Sequence, residues 1–304
     1  MASDLPSPNP AQAYVHASVL EAGHLLIAEK FILHGSSPTK SNMVPSMAFL
    51  LRHSQSNKKI IFDLGIRTDY QNFPPAILKI IQELIPVEVP IDAVESLRRG
   101  GLEPKDIDII ILSHVHFDHV GDPDLFPSSH FVVGDDSKEL LAQGYSPNDT
   151  EPAIDSRFTK NLLPEDRTTF VSRNDWTPLG PFPRTHDFFG DGSVYLVDAP
   201  GHLGGHLNLL VRTSANGSWL FLGGDSAHDV RLLTGAGEIA MFPHAGTGAL
   251  ICLHANAELA KVHISRIRKL SEDPKVLVLI AHDWVWYEEN KDKGVMFPGE
   301  IPPT

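Results

Sequence analysis

The chain has almost no cysteine: Cys252 is the only one among 304 residues. A framework of disulfides within the chain is therefore excluded, and we expect Cys252 to be a small core hydrophobe. The scarcity of cysteine also fits a reducing compartment, so we expect a cytoplasmic protein.

Long apolar runs and basic segments are scarce as well. A helix needs about 18–20 apolar residues to cross a bilayer, and no apolar stretch of the chain is that long. The opening MASDLPSPNPAQ has neither the basic start nor the apolar run of a secretory signal. The chain has 25 Lys and Arg against 38 Asp and Glu, a net charge of -13. Because nucleic-acid binding depends on cationic side chains, this balance argues against a nucleic-acid partner. We expect a small-molecule substrate and no membrane contact, with the oligomeric state open.

The chain is long enough for one or two domains, and its 42% hydrophobic content is ordinary for a globular protein. We predict a flexible N-terminal tail over residues 1–12 and a single domain over 13–304.

Five short runs rich in Val, Ile, Leu and Phe end abruptly in Gly, Asp or His, and continuous apolar runs of this length predict strands buried on both faces. Ligands in layered α/β proteins gather at the carboxyl ends of such strands. The runs are KKIIFDLG (58–65), DIDIIILSH (106–114), GSVYLVDAPGH (192–202), SWLFLGGD (218–225) and KVLVLIAHD (275–283).

Between the strands, apolar spacing predicts helices over 75–85, 92–103 and 254–271, the second opened by Asp92 as a cap. The segment 134–191 is dense in Asp, Pro and aromatic residues, and a long insertion of this kind usually carries a binding surface. This segment and the 75–85 helix would suit a partly apolar substrate, although simple core packing explains the helix equally well.

The motif SHVHFDH at 113–119 places His114, His116, Asp118 and His119 just after a predicted strand. Imidazole and carboxylate together suit zinc and neighbouring divalent ions, and no thiolate lies nearby to make a closed structural site. Four ligands are too many for one open catalytic ion. We therefore predict two ions, with the first two histidines on one and Asp118 and His119 on the other.

HxHxDH, then Gly-His, Gly-Asp and a last strand ending in His, resembles in order the metallo-β-lactamase superfamily over roughly residues 45–285. The resemblance implies an α/β fold, a four-layer αβ/βα sandwich. It implies His202 as a further ligand of the first ion, Asp225 as the bridging carboxylate and His282 as the last ligand of the second ion. Asp63 matches an early Asp-x-Gly element, which implies a supporting role behind the ligands.

The ligand set predicts the chemistry. Two divalent ions, zinc being our first expectation, can hold a bridging water, lower its pKa and present hydroxide to a carbonyl group. The expected reaction is the hydrolytic opening of an ester, lactone, thioester or amide. By analogy with the family, Asp118 would give the leaving atom its proton.

Within the superfamily, SHxHFDHxG and the final His-Asp resemble most closely the N-acyl homoserine lactone lactonases. Those enzymes commonly place a Tyr three positions after the bridging Asp, where this chain has His228. We expect His228 to donate a hydrogen bond to the substrate carbonyl, or alternatively to point into the loop 229–254. A thiolate-type β-lactamase is disfavoured because Asp225 stands where those enzymes have Cys.

Several alternatives stay open. The substrate could be a lactone, a cyclic carbamate or a γ-lactam, and glyoxalase II, a thioesterase, shares the whole ligand set. A mononuclear iron persulfide dioxygenase would use the same fold for an oxidation, although RTDYQ at 67–71 resembles that group only by coincidence. A non-catalytic binding protein is disfavoured because every ligand position is filled.

Overall fold

A computed structural model describes residues 5–244 and 246–304 of the chain. Its strands are β1 (Val15–Leu20), β2 (His24–Ala28), β3 (Ser41–Pro45), β4 (Ala48–His53), β5 (Lys59–Phe62), β6 (Val87–Glu88), β7 (Ile109–Ile111), β8 (His130–Gly134), β9 (Thr168–Val171), β10 (Thr177–Leu179), β11 (Phe182–Asp187), β12 (Val194–Asp198), β13 (Leu207–Arg212), β14 (Trp219–Leu222), β15 (Phe242–Pro243), β16 (Leu250–Ile251) and β17 (Val276–Leu279). Its α-helices are α1 (Pro75–Glu83), α2 (Ala93–Arg99), α3 (Phe117–Val120), α4 (Ser137–Ala142), α5 (Val230–Thr234), α6 (Ala257–Leu270) and α7 (Trp284–Asn290).

Two six-stranded sheets form the centre of the molecule. The first has the order β1-β4-β5-β7-β8-β9, and the second has the order β10-β11-β12-β13-β14-β17. Strands β5, β7, β8 and β9 run parallel, as do β14 and β17. Side chains of both sheets share one buried core, to which Phe62 and Ile111 contribute from the first sheet and Leu209 and Leu222 from the second.

Helices cover the outer face of each sheet. Along β4, Phe49 and Leu51 face the core between the sheets, whereas Leu50 faces a second core that includes Leu97 of α2. On the outer face of the second sheet, Ile267 of α6 packs into another core. The layers are therefore helix, sheet, sheet and helix, and the predicted four-layer sandwich is confirmed.

All five predicted strands are present, each shorter than the run that predicted it, because residues at both ends of each run lie in loops or turns. The three predicted helices are also present with narrower bounds. Asp92 caps α2 by accepting a hydrogen bond from the backbone N–H of Glu95 at 2.8 Å. Ile77 and Ile81 of α1 are buried in a core cluster, so packing accounts for the apolar face of this helix.

The segment 134–191 differs from the predicted insertion. It supplies β9, β10 and β11, which extend the edges of the two sheets, together with the short helix α4. Trp176, Phe188 and Phe189 pack against the core between the sheets rather than on a surface. Phe158 packs against the second core, and its ring also stacks on that of His116 with centroids 6.1 Å apart.

The predicted tail 1–12 is described only from residue 5 onward. Within that part, the Pro6 carbonyl accepts a hydrogen bond of 2.6 Å from Arg212, and Gln12 donates to the Asp191 carbonyl at 2.8 Å. These contacts hold the segment to the second sheet, while the boundary between tail and domain stays a prediction. None of the helices in the described ranges combines the length and apolarity needed to span a bilayer.

Candidate metal centre

The predicted site residues lie where strands end. After β7, a short loop carries His114 and His116, and the one-turn helix α3 then carries Asp118 and His119. His202 follows β12, Asp225 follows β14 and His282 follows β17. Because the three strands of the second sheet run in the same direction, their carboxyl ends lie at one edge, which faces the HxHxDH loop.

Two glycines allow this close approach. Gly201 has a φ of 131°, and a Cβ there would lie 2.4 Å from the backbone nitrogen of Ala260 in α6. Gly224 has a φ of 48°, and a Cβ there would lie 2.9 Å from the Cβ of Ser113. Any larger residue would therefore displace the loops that carry His202 and Asp225.

Four side chains form a first cluster: His114, His116, His202 and Asp225. The Nδ1 atom of His116 lies 2.9 Å from Nε2 of His114 and 3.0 Å from Nε2 of His202. The Oδ2 atom of Asp225 lies 3.4 Å from Nε2 of His202 and 3.9 Å from Nε2 of His114. The ring nitrogens and the carboxylate oxygen of these side chains, which are the atoms that can bind a cation, thus converge on one small volume.

A second cluster, made of Asp118, His119, Asp225 and His282, shares Asp225 with the first. Here the other oxygen of Asp225, Oδ1, lies 3.1 Å from Nε2 of His119 and 3.2 Å from Nε2 of His282. Oδ2 of Asp118 lies 3.5 Å from the same nitrogen of His282. Asp225 therefore stands between the clusters and turns one oxygen to each.

Supporting hydrogen bonds fix the rings. Nδ1 of His119 donates to Asp63 at 2.8 Å, and the same carboxylate accepts from the backbone N–H of Ser113 at 2.6 Å. Nδ1 of His282 donates to the Pro45 carbonyl at 2.8 Å. In both rings Nε2 faces the cluster, an arrangement typical of metal-binding histidines, in which a cation takes the place of the Nε2 proton. Asp63 has the supporting position expected from the sequence.

The electrostatics differ between the two clusters. Burial, together with neighbouring imidazoles, lowers the pKa of His114 well below its ordinary value, and burial lowers that of His116 to about 4. Burial also opposes charge on His119 and His282, but the carboxylates around them prevail. They raise the pKa of His119 well above its usual range and that of His282 to about 10. The first cluster presents neutral imidazoles, and the second favours positive charge.

The donor set fits divalent cations. Nε2 of His119 and Oδ1 of Asp225 are fully buried and lie 3.1 Å apart, yet neither has a hydrogen-bond partner among the described residues. Unsatisfied buried polar atoms are costly, so facing atoms of this kind point to an ion between them. Imidazole with carboxylate is a donor set that suits zinc and its neighbours, with neutral His the form that binds.

Two further histidines lie beside the first cluster. Nε2 of His228 is 3.3 Å from Oδ2 of Asp225, so this nitrogen faces the centre. His254, which the sequence analysis missed, has its ring centroid 4.9 Å from that of His228 and 5.3 Å from that of His202. His206 instead accepts a hydrogen bond from the backbone N–H of Asp225 at 3.2 Å, which is a structural role.

Residues 42–223 match the family model of the metallo-beta-lactamase superfamily. The chain belongs to this superfamily. Among curated relatives, the metallo-hydrolase mfmC of Annulohypoxylon moriforme is 32% identical over 84% of the chain and 74% of its own length. The gamma-lactamase FDB1 of Fusarium pseudograminearum is 36% identical over 60% of the chain, and this match covers 45% of the relative. For several curated relatives the chain covers less than half of their length.

Solved structures share the same fold. A mutant of AiiA from B. thuringiensis, with N-decanoyl-L-homoserine bound at its active site, superposes with a TM-score of 0.68 at 20% identity. That match covers 95% of this superfamily member and 100% of the other chain. The predicted resemblance to lactonases of this superfamily is therefore confirmed for the fold. Superfamily membership, with relatives named a metallo-hydrolase and a gamma-lactamase, confirms the expectation of a metal-dependent hydrolase.

Proposed function

We propose that this metallo-β-lactamase superfamily member hydrolyses a small cyclic ester or amide with the help of two divalent ions, and that these ions are zinc. The observation that carries the proposal is the position of Asp225, whose two oxygens face two separate clusters of buried ligand atoms. His114, His116 and His202 would hold one ion, and Asp118, His119 and His282 the other. When bound, such a pair supplies a water of lowered pKa and a Lewis acid for a carbonyl oxygen.

The residues of the chain have separate tasks in this reaction. The pKa of Asp118 lies below its ordinary value because His119 and His282 outweigh the opposing effect of burial. As a carboxylate, this side chain can accept a proton from the attacking water and pass it to the leaving atom. His228 lies on the side of Asp225 that faces the first cluster. An N–H of this ring can donate to the carbonyl oxygen as negative charge develops on it.

Relatives favour a cyclic substrate. One match in sequence is named a gamma-lactamase, and one match in fold contains a ring-opened homoserine lactone. His116 and Phe158 are both partly exposed, and the stacked ring of Phe158 would provide an apolar contact for a partly apolar substrate. A thioesterase of the glyoxalase II type remains the second candidate, because it needs the same ligands. The complete second cluster argues against a single-iron dioxygenase.

A substrate panel tests the proposal. Purified protein loaded with zinc is assayed with N-hexanoyl homoserine lactone, γ-butyrolactone, 2-pyrrolidinone, 2-oxazolidinone and S-lactoylglutathione, and with glutathione persulfide for oxygen uptake. We expect ring opening of at least one cyclic substrate with kcat/KM above that for the thioester. Preference for S-lactoylglutathione would favour the thioesterase, and oxygen consumption in an iron-loaded sample would refute hydrolysis as the native reaction.

A further inference from the structure

Arg173 lies between β9 and β10, in the segment that crosses from the first sheet to the second. Its guanidinium group pairs with three carboxylates. Nη2 donates to Asp135 and to Asp136, each at 2.7 Å, and Nη1 donates to Asp198 at 3.0 Å. The side chain is only 17% exposed, so these ion pairs are shielded from much of the solvent that weakens pairs on a surface. A single side chain therefore joins carboxylates of both sheets.

The three carboxylates lie at the edge that carries the metal centre. Asp135 and Asp136 follow β8, which is the parallel neighbour of β7, so they lie beside the HxHxDH loop that follows β7. Asp198 is the last residue of β12 and is buried. The chain then turns back through the loop 199–206, which carries the ligand His202. The guanidinium group thus joins the base of this loop to a strand end beside the HxHxDH loop.

The same ion pairs reach the far side of the loop. Oδ2 of Asp136, which accepts from Arg173, also accepts from the backbone N–H of Gly205 at 3.1 Å. The two sheets approach closely at this point, because a Cβ at Gly134 would lie 2.1 Å from the Gly205 carbonyl oxygen. Carboxylates that Arg173 binds therefore hold the loop both before and after His202.

Other contacts hold the rest of the centre. The N–H of Leu207 donates to the Ser113 carbonyl at 2.7 Å, so the loop keeps a main-chain bond to the first sheet without the arginine. The second cluster has its own support, since the N–H of Met47 donates to the Ala281 carbonyl, beside His282, at 3.1 Å. Loss of the arginine should therefore loosen the loop of the first cluster and leave the second cluster in place.

We propose that Arg173 is a positioning residue for the ion of the first cluster and acts through the loop that carries His202. The inference rests on the proposed two-ion function and deepens it. His202 comes from the second sheet and must meet His114 and His116, which come from the first. Its Nε2 lies 3.0 Å from Nδ1 of His116. Because ligand distances in a metal site hold to within about 0.2 Å, a small shift between the sheets weakens binding.

Withdrawal of zinc from the loaded protein by a chromophoric chelator tests the inference, since it yields an affinity for each ion. His202→Ala and His282→Ala, which each lack one ligand of one cluster, show which affinity belongs to which cluster. We expect Arg173→Gln to weaken the ion of the first cluster by about 10–100-fold, as for other partners behind metal ligands, and the other ion by less than about threefold. Arg173→Lys should recover part of the loss, because an ammonium group pairs with a carboxylate but lacks the fixed array of N–H donors that joins three.

Arg184→Gln is the matched control. Nε of Arg184 also donates to Asp198, at 2.8 Å, but this side chain is 51% exposed, and among the described residues it pairs with no carboxylate of the first sheet. It should leave both affinities within about threefold of wild type, since surface ion pairs contribute little.

Three outcomes would overturn the inference alone: Arg173→Gln weakens both ions equally, it weakens neither, or Arg184→Gln has the same effect. If Arg173→Gln does not fold, Arg173→Lys and Arg184→Lys are compared in the same way, and equal affinities for the ion of the first cluster would overturn the inference. A wild-type protein that binds only one ion would instead refute the proposed two-ion function, and the inference with it.

Discussion

At the scale of single residues, Asp63 shows how a residue behind the ligands controls them. Its carboxylate orients His119, and its φ of 61° lies in the left-handed region that Asn tolerates better than Ala. We predict that Asp63→Asn keeps the fold but weakens metal affinity by about 10–100-fold, since the ring loses its charged acceptor. Competition with a chromophoric chelator measures this, and unchanged affinity would show that Asp63 does not support the centre.

His228 permits a second prediction at this scale. Nε2 of His228 faces Oδ2 of Asp225, but His228 belongs to neither of the two clusters that share this carboxylate. The variant His228→Ala should therefore keep two ions. We expect kcat on the best substrate of the panel to fall by about 10²–10³-fold with a smaller change in KM, because the hydrogen bond strengthens in the transition state. Steady-state kinetics with parallel metal analysis decide the matter. An unchanged kcat would make His228 a bystander, and a lost ion would make it a ligand.

At the scale of elements, α6 connects stability to the site. Asn256 caps this helix by accepting a hydrogen bond from the backbone N–H of Leu259 at 3.0 Å. Asn256→Ala should reduce the free energy of unfolding by about 1 kcal/mol, seen as a lower urea midpoint of the metal-loaded protein. Ser265→Ala, at an exposed position in the middle of the same helix, is the control and should be neutral or slightly stabilising. Equal midpoints for both variants would contradict the cap.

The elements also show what could be predicted from the sequence. Buried runs that end in His or Asp predicted the strands, and the resemblance to the superfamily implied that Asp225 and His282 meet. The structure supplies the reason, since β14 and β17 run parallel and their carboxyl ends lie side by side. His254 could not be found in this way. It follows the two-residue strand β16, with no motif beside it, and comes near the centre only because α6 docks onto the backbone of Gly201. The aromatic residues of 134–191 are a mixed case, since composition does not distinguish a sheet edge, where Trp176 packs, from the side of the site, where Phe158 lies beside His116. That this segment carries a binding surface stays a prediction.

At the scale of the whole molecule, the site lies between two half-sandwiches. The first sheet provides the HxHxDH loop, and the second provides His202, Asp225 and His282. Neither half holds a complete set of ligands, so the packing of the two sheets against one shared core also assembles the centre. This dependence explains why one carboxylate at the junction is expected to decide the occupancy of both ions.

Elemental analysis of metal content therefore tests the central claim most directly. Protein prepared without chelator should contain close to two divalent ions per chain. Asp225→Ala, which removes the oxygens that lie 3.4 Å from His202 and 3.1 Å from His119, should lose both ions and turnover together. A wild-type protein that reproducibly holds one ion at full activity, or an Asp225→Ala variant that keeps two ions and wild-type turnover, would contradict the account.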